Sequence, residues 1–299
     1  MIRLSLRVAG EHAETVLAEL LELAPAGVEE AQGEAGTVEY AVYGAPGELP
    51  ALPDLQALAG DALVELSTSE VPDDWHERWR EFHRPVLIQA PARAARAEPP
   101  IPSLRVRPPW EPAQRAHDDE RLREIVIDPG QAFGTGAHAT THLCLQLLLE
   151  LAAEEPARPA VLDVGAGSGV LAIAAAALGF APVLALDHDR ESVRASTENA
   201  AVNLAAIEVR RVDLRTQPLP WPDAARAGGR PPIVLANLLR PLLLELAGKL
   251  PGVPAHLLAG GLLEGEVDEV AAAFRASLGM RERERRERGE WAAVWLSAA

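Results

Sequence analysis

The sequence predicts an α/β chain: a large, doubly wound parallel sheet preceded by a smaller α+β unit. Three observations carry that prediction. From Ile125 onward, short apolar runs alternate with segments of helical period, the pattern of a parallel sheet with helices on both faces. The run VLDVGAGSG at 161–169 breaks an apolar strand into three alternate glycines and then opens the helix-like VLAIAAAALG. The first seventy residues instead repeat a strand–helix–strand order of their own.

In that first unit IRLSLRV alternates as a strand, and HAETVLAELLELA recurs at helical spacing before Pro25 and Gly27. VEYAVYG reads as a strand, LPDLQALAG as a short helix and ALVELSTSEV as a further strand. Two helices on an antiparallel sheet, a ferredoxin-like layer, are expected. Residues 73–84, DDWHERWREFHR, read as a connecting helix with Asp73 or Asp74 as cap. Trp75, Trp79 and Phe82 share one face there, expected to seal two domains together, the alternative being direct contact with substrate. Residues 89–103 are rich in Ala, Pro and Arg without an apolar period and read as a surface loop. The strand-like LRVRPPW, a polar loop at 111–122 and EIVIDPG follow. Then come helix 139–153, strand 160–164, helix 169–179, strand 182–187, helix 190–203 and strands 207–213 and 233–237. Helix 241–249, strand 255–259 and helix 265–278 complete the alternation, and RERERRERGEWAAVWL reads as a terminal hairpin with solvated charges.

With 299 residues, 48% of them apolar, the chain can bury one large core and a smaller one. No apolar run is long enough to span a bilayer, and the first ten residues lack the continuous centre of a signal peptide, so a cytoplasmic address and no membrane partner are expected. Cys144 stands alone in LCLQLLL and is expected to be a buried, unreactive thiol; no run resembles a metal cluster. A net charge of −16 opposes nucleic-acid binding and favours a basic polypeptide or a small molecule. Lys249 is the one lysine beside abundant arginine, which reads as coding bias.

The chemistry sits in two glycine-rich stretches. A nicotinamide-binding turn would place its third glycine at 170, where Val170 stands; Gly165, Gly167 and Gly169 point instead towards S-adenosylmethionine. Asp187 ends the next strand, where a carboxylate accepts two ribose hydroxyls. Asp213 ends the third strand, placed to meet an adenine amino group, and Asn237 ends the fourth. These strand ends are expected to line one crevice. Asp163 either orients the glycine turn or the cofactor's amino group through water, or is purely structural. His138, in the second stretch IDPGQAFGTGAHATT at 127–141, is a candidate for proton removal or cofactor contact; the alternative is a histidine bonded within its loop.

DPGQAFGTGAHATTHLCL at 128–145 closely resembles the signature of the ribosomal protein L-11 methyltransferases, the PrmA type. VLDVGAGSGVLAIAAAALG, ALDHDRESVRASTENAAVN, IVLANLLRPLLLELA, DDWHERWREFHRPV and LRVRPPWEP are similar to other family segments, so the resemblance covers most of 73–296. It implies a Rossmann-like class I methyltransferase with S-adenosylmethionine as cofactor, methylating amino groups of a large-subunit ribosomal protein. It also implies a recognition domain at 1–72, a linker helix and loop at 73–103, and a methyltransferase domain at 104–299. Thr141, Gly165, Asp187 and Asn237 carry over as cofactor positions, with Phe133 and the loop Gly134, Thr135, Gly136 lying over the cofactor. The chain departs from the family at Asp187-His188-Asp189-Arg190, and at 89–103 and 111–122, which look longer than the family core.

Methyl transfer from a sulfonium is a direct displacement, so positioning and desolvation can supply most of the catalysis. The segment Asn237-Leu238-Leu239-Arg240 replaces the Pro-Pro-aromatic clamp of many base methyltransferases and suits an aliphatic amine. A monomer is expected. The alternatives are a methyltransferase of another protein, RNA or a small molecule, and a non-catalytic cofactor-binding module.

Overall fold

The computed structural model describes residues 2–13, 16–17, 20, 28–33, 36–44, 49, 55, 60–70, 83–96, 98, 100–113, 121–129, 134, 136–222 and 229–298. The chain divides into two compact units, Met1–Phe82 and His83–Ala299. Residues 73–82 of the expected connecting helix, with Trp75, Trp79 and Phe82, lie outside the described residues, as do Phe133 and Thr135.

The first unit holds β1 (Ile2–Ala9), β2 (Glu29–Gln32), β3 (Thr37–Gly44) and β4 (Leu63–Glu70) in the order β2-β3-β1-β4, every neighbour antiparallel. This is the ferredoxin-like arrangement. Alternation along β1 sends Leu4, Leu6 and Val8 into one cluster with Val38, Tyr40 and Val42 of β3. Helical residues Ala13, Val16 and Leu20 meet the same cluster at the expected spacing, and Leu55, also helical, is fully buried. Strand β2 was not expected: EEAQ has no apolar alternation, and its place comes from pairing along the edge of β3. On the other face Glu39 gathers Arg3, Ser5 and Arg7, and the Ser5 hydroxyl and Arg3 guanidinium hold its carboxyl down to about 2.

The second unit is built on seven strands: β8 (Val161–Val164), β9 (Val183–Asp187), β10 (Ile207–Arg211), β11 (Ile233–Asn237), β12 (His256–Leu263), β13 (Arg281–Arg288) and β14 (Trp291–Ser297). Their order is β10-β9-β8-β11-β12-β14-β13, and β14 runs against both its neighbours. Chain order reverses between β8 and β11, which makes the carboxyl ends of these two strands the topological switch point.

Among the described residues, five helices accompany the sheet: α2 (Ala139–Glu154), α3 (Val170–Ala177), α4 (Arg190–Val202), α5 (Arg240–Lys249) and α6 (Val267–Leu278). The central strands β8, β9 and β11 read as continuous apolar runs because both faces are covered. Val161, Val183, Ala185, Ile233 and Leu235 point into one cluster; Leu162, Leu184, Leu186, Val234 and Ala236 point into the other. β13 forms the charged edge expected of a terminal hairpin, but its arginines are not simply solvated: Arg283 and Arg286 reach Glu154 and Glu150 of α2, and Arg285 reaches Asp268 of α6.

A separate sheet of β5 (Val86–Ile88), β6 (Ser103–Arg107) and β7 (Leu122–Val126) lies in the same unit, with β6 and β7 parallel. The expectation of a surface loop or insertion at 89–103 holds only in part: most of its described residues are exposed or half-buried, but two reach the core. A single helical turn, α1 (Ala92–Ala95), buries Ala94, and Ile101 is buried beside it in the main cluster. Alanine is small enough to be buried without leaving a periodic signal, so the stretch looked featureless in sequence.

Candidate functional site

The glycine turn joins β8 to α3. Gly165, Gly167 and Gly169 all take left-handed backbone conformations, at φ of 77°, 54° and 81°. Side chains are disfavoured there by sterics between Cβ and the following carbonyl. A Cβ on Gly165 would also collide with Leu238 Cδ2, and one on Gly169 would press on Ser196.

Asp187 ends β9 and is buried. Its Oδ2 accepts the Gly167 amide at 2.9 Å and its Oδ1 the Asp189 amide at 3.0 Å, so the carboxylate ties two turns together. Each carboxylate oxygen has a second lone pair for another donor. Asp213 lies two residues past β10, which stops at Arg211, not at Asp213 as expected. Its carboxylate accepts the Arg215 amide at 2.9 Å and Arg215 Nε at 3.2 Å, and these bonds hold its pKa below the ordinary aspartate value. A cleft of about 150 Å³ opens at this edge of the sheet, lined by Gly165, Asp187, Asp213, Leu214 and Leu238 among others. Three of the acceptor and turn positions read from sequence therefore meet in one place.

Asn237, half-buried, and Thr141, fully buried, meet in a neighbouring group. Asn237 Nδ2 donates to Thr141 Oγ1 at 3.2 Å, while its Oδ1 is buried without a hydrogen-bond partner. Gly260 lies against this group: a Cβ there would collide with Cys144 Sγ and come within 3.1 Å of Asn237 Oδ1. The Cys144 thiol is pushed up to about 12 by burial and by the charge of Asp163, as befits an unreactive packed cysteine. Asp163 is fully buried on β8. Its Oδ2 accepts the Ala172 amide in the first turn of α3 at 3.1 Å, and its Oδ1 has no hydrogen-bond partner.

His138 caps α2. Its Nδ1 accepts the Thr140 amide at 3.3 Å and lies 2.8 Å from Thr140 Oγ1, so that nitrogen carries no proton. Burial lowers its pKa and favours the neutral ring, which packs edge-on to Trp291 with centroids 5.0 Å apart. The loop-holding arrangement is thus present, with Nδ1 engaged. Gly134 and Gly136, at φ of 103° and 84°, belong to the same stretch. Gly134, Gly136, His138, Thr141, Asp163, Gly167, Gly169 and Asn237 are not among the residues lining the cleft.

Sequence reasoning missed the set that binds the two glycine stretches to each other. Ser168 Oγ donates to the Gly134 carbonyl at 2.6 Å. Asn199, buried on α4, donates to the Ser168 carbonyl and accepts the Asp128 amide, both at 2.9 Å. One turn later Asn203 pairs with both the amide and the carbonyl of Val126, and Ser196 Oγ donates to the Gly167 carbonyl at 2.7 Å. The available signal was polar residues at 196, 199 and 203, spaced to share one face of a helix. Asn199→Ala should cost about 2 kcal/mol of stability, since the buried Ser168 carbonyl and the part-buried Asp128 amide both lose this partner. Denaturant titration measures it; a loss below about 0.5 kcal/mol would mean that water replaces the amide.

The ribosomal protein L11 methyltransferase (PrmA) family matches residues 54–298. A ribosomal protein L11 methyltransferase from Sorangium cellulosum is 38% identical over 209 residues, spanning 68% of this chain and 58% of that protein. One from Heliobacterium modesticaldum is 35% identical over 227 residues, spanning 74% of this chain and 63% of that protein. The chain thus spans less than two thirds of the length of either relative. The crystal structure of a ribosomal protein L11 methylase from Lactobacillus delbrueckii subsp. bulgaricus aligns with a TM-score of 0.54 at 31% identity, covering 65% of this chain and 94% of that one. With the family's residues matched over most of its length, the chain belongs to the ribosomal protein L11 methyltransferases.

Proposed function

We propose that this protein transfers methyl groups from S-adenosylmethionine to amino groups of ribosomal protein L11. The observation that carries the reading is the cleft at the switch point of the sheet, where Gly165, Asp187 and Asp213 converge. The residues fit an adenosyl cofactor. Asp187 keeps lone pairs for the two ribose hydroxyls, and Asp213 supplies an acceptor for an amino group. The unpartnered oxygens of Asp163 and Asn237 favour donors and positive charge. Phe133, Thr135 and the glycines beside them belong to the same proposal as the loop over the cofactor.

When bound, the cofactor supplies an electrophilic methyl group on sulfur. The chain's own work is to deliver a neutral amine. A lysine ammonium has an unperturbed pKa of about 10.4 and must lose its proton on entering a dry pocket. Asn237 Oδ1 is suited to accept an N–H from that amine, with the side chain held in place through Nδ2 on Thr141. His138 keeps its ring neutral and Nδ1 occupied by the helix cap, so its contribution is to hold the loop.

The charge of the first unit supports a basic polypeptide substrate. Residues 1–82 contain 17 acidic and 4 basic side chains, a formal charge of −13 out of the chain's −16. A strongly acidic surface attracts a basic partner at long range. A cytoplasmic location follows from the same substrate.

Incubating the protein with labelled cofactor and ribosomal proteins should place the label on L11 amino groups. Label on RNA or a metabolite instead would overturn the substrate. A chain lacking residues 1–82 should bind the cofactor within about threefold of wild type, since every proposed cofactor position lies beyond Ile125, yet lose methylation of the protein. A folded truncated chain that methylates at the full rate would remove the recognition role.

A further inference from the structure

Twenty-seven of the 28 basic side chains are arginine, and Lys249 is the one lysine. In a chain so uniformly arginine, the surroundings of Lys249 show what a lysine supplies there. The residue ends α5, where a cation also complements the helix dipole. Its ammonium donates to three oxygens: the carbonyls of Leu214 at 2.9 Å and Arg215 at 2.6 Å, and Glu245 Oε1 at 2.7 Å. An ammonium has three N–H donors, so the set is complete. Three acceptors converging on one nitrogen suit a compact point charge. A guanidinium spreads its donors across a rigid planar fork on a longer side chain and cannot serve all three from that point.

Both carbonyls belong to the segment that walls the cleft. Leu214 and Arg215 line it beside Asp213, and Arg215 donates to the Asp213 carboxylate. The turn closes on itself through the Thr216 and Gln217 amides, both donating to the Asp213 carbonyl. Lys249 joins this turn to α5 by hydrogen bonds, beside the packing of Leu214 in the same apolar cluster as Leu243 and Leu246, and α5 also contributes Leu242 to the cleft. We propose that Lys249 is a positioning residue that fixes the 213–215 wall and so sets the affinity for the adenosyl end of the cofactor. This rests on the cofactor reading above.

The test uses full-length Lys249→Met, Lys249→Arg and Glu245→Gln. Cofactor affinity is measured by calorimetry, kinetics with the protein substrate, and hydrogen exchange at the amides of 213–217. Lys249→Met should weaken S-adenosylmethionine binding roughly tenfold and Lys249→Arg roughly threefold or more. Both should raise KM for the cofactor, leave kcat at saturating cofactor and KM for the protein within about twofold, and speed exchange at 213–217. Glu245→Gln keeps both carbonyl bonds and should bind within about twofold of wild type. Wild-type affinity in both lysine variants overturns the proposal, as does a Glu245→Gln loss equal to that of Lys249→Met. Wild-type protein that binds no S-adenosylmethionine overturns the cofactor reading and this proposal with it; normal wild-type binding beside unaltered lysine variants overturns only the role of Lys249.

Discussion

Asp187→Ala is expected to weaken S-adenosylmethionine binding by about 2–4 kcal/mol, or roughly 30- to 900-fold. Two effects combine. The substitution removes the charged acceptor proposed for both ribose hydroxyls, and it releases the Gly167 and Asp189 amides that the carboxylate now holds. Asp187→Asn separates them in part, because one side-chain oxygen remains to accept an amide while the charge is lost; a roughly tenfold loss is expected for it. Calorimetry gives the affinities, and thermal unfolding gives the cost to the turn. An alanine variant with lowered stability but wild-type affinity would make Asp187 a structural tie and nothing more.

The positions at strand ends were legible in sequence because topology decides them. An apolar run ending in Gly165, a second ending in Asp187 and a third leading to Asp213 have their carboxyl ends at one edge once the sheet is parallel. Left-handed backbone at all three glycines follows from the same turn. What escaped was held by pairing and burial. EEAQ became β2 only through hydrogen bonds along β3. Ala94 and Ile101 became core because a three-stranded sheet and α2 close over them, which no local pattern announces. The ties made by Ser196, Asn199 and Asn203 join α4 and its C-cap to the glycine turn and to the end of β7 and the loop after it, some thirty and seventy residues away in the chain. In sequence such residues look like the solvated face of a helix. Lys249 was visible as an oddity of composition, and its three acceptors gave the oddity a physical reading.

Asp163→Asn should stabilise the protein above neutral pH and remove a proton from the cofactor-binding equilibrium. Asp163 is fully buried, and burial pushes its carboxyl up to about 7, with the Ala172 amide opposing the rise and the charge of Asp187 adding to it. An aspartate in the unfolded chain titrates near 3.9, so between these values the folded protein holds the extra proton. The group's stabilising contribution is therefore complete below about pH 4 and is lost as pH rises through about 7. The difference across that window is on the order of 4 kcal/mol. Asparagine cannot ionise and keeps an oxygen for the Ala172 amide. Unfolding free energies should then fall from pH 4 to 7 in the wild type more steeply than in the variant, which should be the more stable of the two at pH 8. A cationic cofactor favours the ionised carboxyl, so wild-type affinity should rise up to about pH 7 with release of a proton, seen as a calorimetric heat that depends on the buffer. The variant should bind more weakly at pH 8 and show no such dependence. Parallel stability profiles for the two proteins would mean that Asp163 is already ionised in the folded state, and the linkage to the cofactor would fall with it.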